Sequence, residues 1–306
     1  MNRNFRGVFS IVPTPFDEQG RLDEEGLRRV VSFIIESGAH GIVSPANASE
    51  APYLSDDERR QVVEIVIDEN RKRVPVVVGV TASCQTIAVR WAQHAEASGA
   101  DFLMAMPPCV HRASPGEIHD YFKSISDATA LPMCIQNYGG PGGTPLSADF
   151  MASLLRDIPR VDYVKEETDL CGPLISSLIG ISGSDLKGVM GGKAGRHLLD
   201  EHRRGSCGTM PAGEVTDVHV KLWSELEANA TEQANETYER LLPLLLFETS
   251  YGVAVYKEVL YRRGIIQTSL CRQAGGKQLD AGAKAELTSI LKRLSPLFSS
   301  DYPLVR

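Results

Sequence analysis

The chain has 306 residues, 42% of them hydrophobic and 23% charged, with a formal net charge of −7. That length supports a large core in one or two domains, and the composition excludes a disordered or fibrous chain. The acidic balance and the lack of any basic block argue against nucleic acid as a partner.

The opening Met-Asn-Arg-Asn-Phe-Arg-Gly carries no apolar core of a signal peptide, and no apolar run is long enough to span a membrane. The expectation is a cytoplasmic protein with no membrane partner. Six cysteines lie far apart and form no CxxC, so they read as reduced thiols. The seven histidines show no HxxxH or HExxH spacing, and no metal is expected.

Strand-like and helix-like runs then alternate. Val8 to Pro13 reads as a strand ending in Thr14-Pro15. Asp23 can cap a helix whose Leu27, Val30, Val31, Ile34 and Ile35 share one face, and Gly38 can end it. Gly41 to Ser44 is the second strand. Ser55 and Glu58 form a capping box that opens a helix carrying Val62, Val63, Val66 and Ile67. The strand Pro75 to Val80 and a helix from Gln85 to Ser98 follow. Next come the strand Asp101 to Met106, a helix Pro115 to Ala128 and the strand Pro132 to Asn137. Ser147 can cap a helix to Asp157. The strand from Val161 precedes a helix near Leu174 to Ile181, the strand Leu186 to Met190, a helix Gly195 to Arg204 and a last strand, Ser206 to Met210.

Eight such units predict parallel strands closed into a (β/α)8 TIM barrel. A doubly wound open sheet is the rival, weakened because no GxGxxG follows the first strand. Beyond Gly213 only helices are predicted: Asp217 to Ala228, Glu232 to Phe247, Tyr251 to Arg263 and Ala281 to Leu294. The barrel is therefore assigned to residues 1–228 and a C-terminal helical extension, packed on it, to residues 229–306.

The segment Val161-Asp162-Tyr163-Val164-Lys165-Glu166-Glu167-Thr168 concentrates the chemistry. Strand side chains alternate, so Lys165 and Glu167 point the same way. An amine and a carboxylate in one cavity suit imine chemistry with a ketone. A free lysine amine is almost wholly protonated at neutral pH, so an attacking lysine must be buried where its neutral form is favoured. Active sites of such barrels lie at the C-terminal strand ends. Those ends hold Thr14, the Ser44–Glu50 loop, Thr81, Pro107-Pro108, Gln136-Asn137, Lys165 with Glu167, Gly191-Gly192 and Thr209. The run Gly139 to Gly143 reads as a turn or flexible loop rather than a phosphate cradle, since no Lys-Ser/Thr follows it. His111 and Cys109 read as loop surface.

These residues also carry a resemblance. Gly7-Val8-Phe9-Ser10 with Pro13-Thr14-Pro15-Phe16 resembles the opening of the dihydrodipicolinate synthase / N-acetylneuraminate lyase superfamily. The loop Ala46-Asn47-Ala48-Ser49-Glu50 stands at that family's GTTGE signature, the lysine strand at its Schiff-base strand, and Gly205-Ser206-Cys207-Gly208 at its last strand. The resemblance spans nearly the whole chain. It implies a lysine imine with a small-molecule 2-oxo acid, no dissociable cofactor, and a homotetramer.

The departures narrow it. Gln136 stands where synthases and lyases of the family carry a proton-relaying tyrosine, with Tyr138 nearby but set aside as pointing away from Asn137. No arginine in 139–144 matches the synthase's dicarboxylate contact. The Asn-Ala-Ser-Glu loop, the Ile-Gln strand and Lys-x-Glu resemble the 2-keto-3-deoxy sugar acid dehydratases, the L-2-keto-3-deoxyarabonate branch in particular. Thr-Pro-Leu-Ser at 144–147 and Leu-Leu-Pro-Leu at 241–244 add to that likeness.

Lys165 and Glu167 are thus the catalytic candidates. Asn47, Ala48, Ser49, Gln136, Asn137 and Thr209 are the substrate-binding candidates, with the Ala48 and Ser49 N–H groups facing the substrate carboxylate. Three readings stay open: a dehydratase yielding 2-oxoglutarate semialdehyde, a pyruvate-releasing aldolase on the same imine, and a non-catalytic binding barrel.

Overall fold

The computed structural model describes residues 5–108, 110, 112–273 and 278–306. Eight parallel strands follow one another in sequence order around a closed barrel. They are β1 (Gly7–Ile11), β2 (Gly41–Val43), β3 (Val76–Gly79), β4 (Phe102–Ala105), β5 (Met133–Tyr138), β6 (Val161–Glu167), β7 (Gly188–Gly191) and β8 (Gly208–Thr209). The intervening helices are α1 (Glu24–Glu36), α2 (Asp56–Asn70), α3 (Gln85–Ser98), α4 (Pro115–Asp127), α5 (Ala148–Asp157), α6 (Cys171–Ser182) and α7 (Leu198–Arg203). Then come α8 (Thr216–Glu227), α9 (Thr231–Tyr251), α10 (Val253–Arg262) and α11 (Ala281–Leu294). No helix of the described residues is long and apolar enough to cross a membrane.

The chain divides into two compact units. The first comprises 1–6, 75–193 and 197–210, so it holds β3 to β8 and α3 to α7. Side-chain caps set the starts of α4 and α5. Ser114 and Glu117 form a reciprocal capping box ahead of α4, with Pro115 in its first turn. Ser147 caps α5 by accepting from the Phe150 N–H. At the base of the strands Phe5, Phe102 and Tyr163 stack, their centroids 4.6 Å apart for the two Phe5 contacts. α7 starts later than the expected Gly195, whose positive φ a right-handed helix does not include.

The second unit comprises 7–74, 194–196 and 211–306. Asp23 caps α1, and the Ser55–Glu58 box caps α2. A fully buried ion pair joins Lys257 of α10 to Glu50, whose second oxygen accepts the N–H groups of Arg272 and Gln273 at 2.7 Å each. Arg272 also grips Glu58 with two nitrogens, at 2.7 and 2.6 Å, and holds that carboxyl down at about 2. Helix α9 runs through Pro243 and ends four residues past its expected end at Phe247.

Candidate active site

The site is built on three neighbouring strands. β5 and β6 are in register with Gln136 opposite Lys165 and Tyr138 opposite Glu167, and β6 pairs Lys165 with Met190 of β7. Registered neighbours in a parallel sheet share a face, and positions two apart on one strand share it too. Lys165, Glu167, Gln136 and Tyr138 therefore form one inward group.

The Lys165 side chain is 2% exposed, and its Nζ lies 3.0 Å from Glu167 Oε1. That carboxylate is held on every side. Gln136 Nε2 donates to Oε2 at 2.6 Å, and the Lys193 N–H donates to Oε1 at 3.2 Å. Gly192 lies so close behind Glu167 that any Cβ there would overlap its carboxyl. Lys193 takes φ 49° to present its N–H, a strained setting for a non-glycine residue. An amine beside a fixed carboxylate in a water-poor cavity can exchange a proton with it over one hydrogen bond.

A second polar layer lies on the opposite face of the same strands. Asn137, predicted as a substrate contact, belongs to it. Its amide donates to Glu166 Oε2 at 2.7 Å and to the Leu146 carbonyl, and its oxygen accepts the Leu146 N–H. Thr209 is likewise not with the amine. It registers with Gly191, which registers with Glu166, so alternation turns all three away from Lys165. Strand-end position, on which both expectations rest, ignores side-chain parity. Tyr138 points away from Asn137, and that same parity puts it beside Glu167.

Glu201 of α7 completes the outer layer. It is buried against Gly191, one oxygen has no hydrogen-bond partner, and the Cys171 thiol hydrogen-bonds the carboxyl. Burial, reinforced by the charges of Glu167 and Glu166, pushes Glu201 up to about 8. Burial also raises Glu166 and lifts the Cys171 thiol to about 12. The adjacent glycines at the end of β7 thus each back one carboxyl: Gly191 backs Glu201 and Gly192 backs Glu167. Nothing local in Asp200-Glu201-His202 distinguishes this buried acid from a solvated one.

In the second unit, Asn47, Ala48 and Ser49 form a single 3₁₀ turn. Ser49 is buried, its N–H donates to the Ala46 carbonyl at 3.0 Å, and its hydroxyl accepts the Ala46 N–H at 3.1 Å. The Ser49 N–H is therefore spent within the turn and is not the expected carboxylate donor, while Asn47 is exposed. Cys109 and His111 lie outside the described residues. Among the described residues no three His, Cys, Asp or Glu side chains gather as metal ligands.

A buried lysine with its own carboxylate, at the C-terminal ends of (β/α)8 strands, defines a lysine-dependent barrel lyase. The comparisons agree. Residues 4–294 match the dihydrodipicolinate synthetase family model. The chain is 30% identical over 295 residues to an L-2-keto-3-deoxyarabonate dehydratase of Azospirillum brasilense, covering 95% of each chain. It is 34% identical over 264 residues to a 4-hydroxy-tetrahydrodipicolinate synthase of Nitrobacter hamburgensis, covering 83% of this chain and 82% of the relative. The crystal structure of a dihydrodipicolinate synthase from Rhodopseudomonas palustris superposes with a TM-score of 0.88 at 27% identity, covering 96% of this chain and 99% of the other. The chain belongs to the dihydrodipicolinate synthetase family.

Proposed function

We propose that this protein is a Schiff-base dehydratase that converts a 2-keto-3-deoxypentonate of the L-2-keto-3-deoxyarabonate type into 2-oxoglutarate semialdehyde. The observation that carries the reading is the Lys165–Glu167–Gln136 group. Lys165 attacks the C2 ketone and releases water to form an imine. The protonated imine draws electrons from C3, and Glu167, 3.0 Å from the amine, takes the C3 proton. The enamine then expels the C4 hydroxyl; C5 gives up a proton as C3 regains one, the resulting C4=C5 enol becomes the C5 aldehyde, and water hydrolyses the imine to free Lys165. Gln136 cannot ionise; its amide fixes Glu167 on the reacting side. Similarity to the Azospirillum dehydratase over 95% of the chain supports the same choice. Asn47 and Ala48 remain proposed substrate contacts.

The test is borohydride trapping with pyruvate and with a 2-keto-3-deoxypentonate, peptide mapping, and product analysis. The expected result is a reduced adduct on Lys165, its loss in Lys165→Ala, and semialdehyde from the pentonate. Stoichiometric pyruvate release would establish the aldolase reading instead, and an adduct without turnover would favour a binding barrel.

A further inference from the structure

We infer that Tyr138 is a further catalytic residue, the phenol that protonates the departing C4 hydroxyl. The inference rests on the dehydratase reading and divides labour that Glu167 would otherwise carry alone.

Three observations place it. Tyr138 is the register partner of Glu167, as Gln136 is of Lys165. A strand rises about 3.3 Å per residue, so Tyr138 stands roughly 6–7 Å beyond Gln136 toward the open strand end. A substrate tethered through C2 to Lys165 extends its C4 and C5 in that direction. Second, the ring is half-buried, and its hydroxyl has no hydrogen-bond partner among the described residues. Burial, with the nearby Glu167 charge adding to it, raises the phenol, so it stays a protonated donor at neutral pH.

Third, the glycine-rich run after β5 is folded around this side chain. A Cβ on Gly140 would overlap the phenol oxygen, and one on Gly143 would overlap the Tyr138 carbonyl oxygen and stand 2.9 Å from the ring Cδ1. Neither glycine has a positive φ; what they permit is close approach. The Gly143 N–H donates to the Gly140 carbonyl at 3.0 Å and closes the turn. A Cβ on Gly139 would meet Thr168 Cα at 3.3 Å, so the wrap also rests on the residue after Glu167. The phenol is confined before substrate arrives, which is how a fixed donor stabilises a transition state without reorganisation.

The step balances. Glu167 removes the C3 proton and the C2 imine becomes an enamine. The enamine electrons form C3=C4 as the C4–O bond breaks, and the hydroxyl leaves as water with the Tyr138 proton. The phenolate recovers a proton from Glu167. One water departs, no proton is gained or lost overall, and nothing is oxidised or reduced.

Tyr138→Phe keeps the ring and removes only the hydroxyl, and Gly140→Ala displaces the hydroxyl without removing it. Two probes separate the steps. Exchange of pyruvate methyl hydrogens in D2O reads imine formation and C3 proton transfer; semialdehyde formation from the pentonate reads water loss. Tyr138→Phe is expected to keep the Lys165 adduct and the exchange rate while losing on the order of 10²–10³-fold in water loss. Gly140→Ala is expected to show the same split to a smaller extent. Tyr138→Phe turning over within about threefold of the wild type would overturn the assignment, as would equal losses of exchange and water loss. Pyruvate release by the wild-type enzyme would overturn the dehydratase reading itself and with it the role of Tyr138.

Discussion

Glu201 offers a direct measure of the outer polar layer. Its carboxyl stands at about 8 in the fold against an ordinary value of 4.5. Between those limits the folded protein holds a proton that the unfolded chain has lost, so wild-type stability falls as pH rises through the window. Integrating the two titrations from pH 5 to 7.5 gives a loss of about 3 kcal/mol, at 1.36 kcal/mol per full unit. Glu201→Gln keeps the shape and an oxygen to accept the Cys171 thiol but cannot ionise. Any fixed cost of seating an amide beside Gly191 is the same at every pH. The expected outcome is therefore a difference in urea-unfolding free energy, mutant minus wild type, that grows by about 3 kcal/mol from pH 5 to 7.5. A difference that stays level across that range would show that Glu201 titrates as a solvated acid, and the account of the outer layer would fail.

Other outcomes follow from the same geometry. Asn137→Ala leaves the Leu146 N–H without its partner and takes the amide donor from Glu166 Oε2, while Thr168 still serves Oε1; it is expected to cost about 3 kcal/mol in unfolding free energy, with the Lys165 borohydride adduct retained. Glu167→Gln is expected to abolish deuterium exchange into pyruvate while the adduct still forms slowly, which mass mapping would record. Lys257→Met strands the buried Glu50 carboxylate and is expected to lower stability by about 3–5 kcal/mol, with Lys257→Met/Glu50→Gln recovering part of it in the same melts.

Local signals were legible wherever one residue type settles one local geometry. Asp23, Ser55 and Ser147 cap their helices as their chemistry dictates, and α3, α5 and α11 begin and end where the pattern places them. The pairing of Lys165 with Glu167 followed from strand alternation alone. What the residues could not settle is anything that needs the register between strands. Asn137 and Thr209 sit at strand ends like Lys165, yet only β5–β6–β7–β8 pairing reveals that they face the other way. The glycines at 139–143 looked like a bare turn because their reason is a ring folded back from Tyr138. Glu201 is a short-helix acid whose burial depends on Gly191, ten residues earlier.

The two faces of β5 and β6 explain one another. Moving a strand by one residue would exchange Gln136 and Lys165 for Asn137 and Glu166 on the inward side, so the register must be fixed firmly. The outer layer supplies that constraint. Asn137 ties β5 to Glu166 of β6 and to the chain entering α5, while Glu166 accepts the Thr168 N–H at 2.7 Å at its own strand end. The Asn137–Glu166 bond exists only in the observed register, and it is buried, where an unmatched amide or carboxylate costs more than a matched one gains. The outward polar residues thus hold the inward amine, carboxylate, amide and phenol in line without touching the substrate. It follows that substitutions in the outer layer act on stability and positioning, whereas substitutions in the inner layer act on individual proton transfers at C3 and C4.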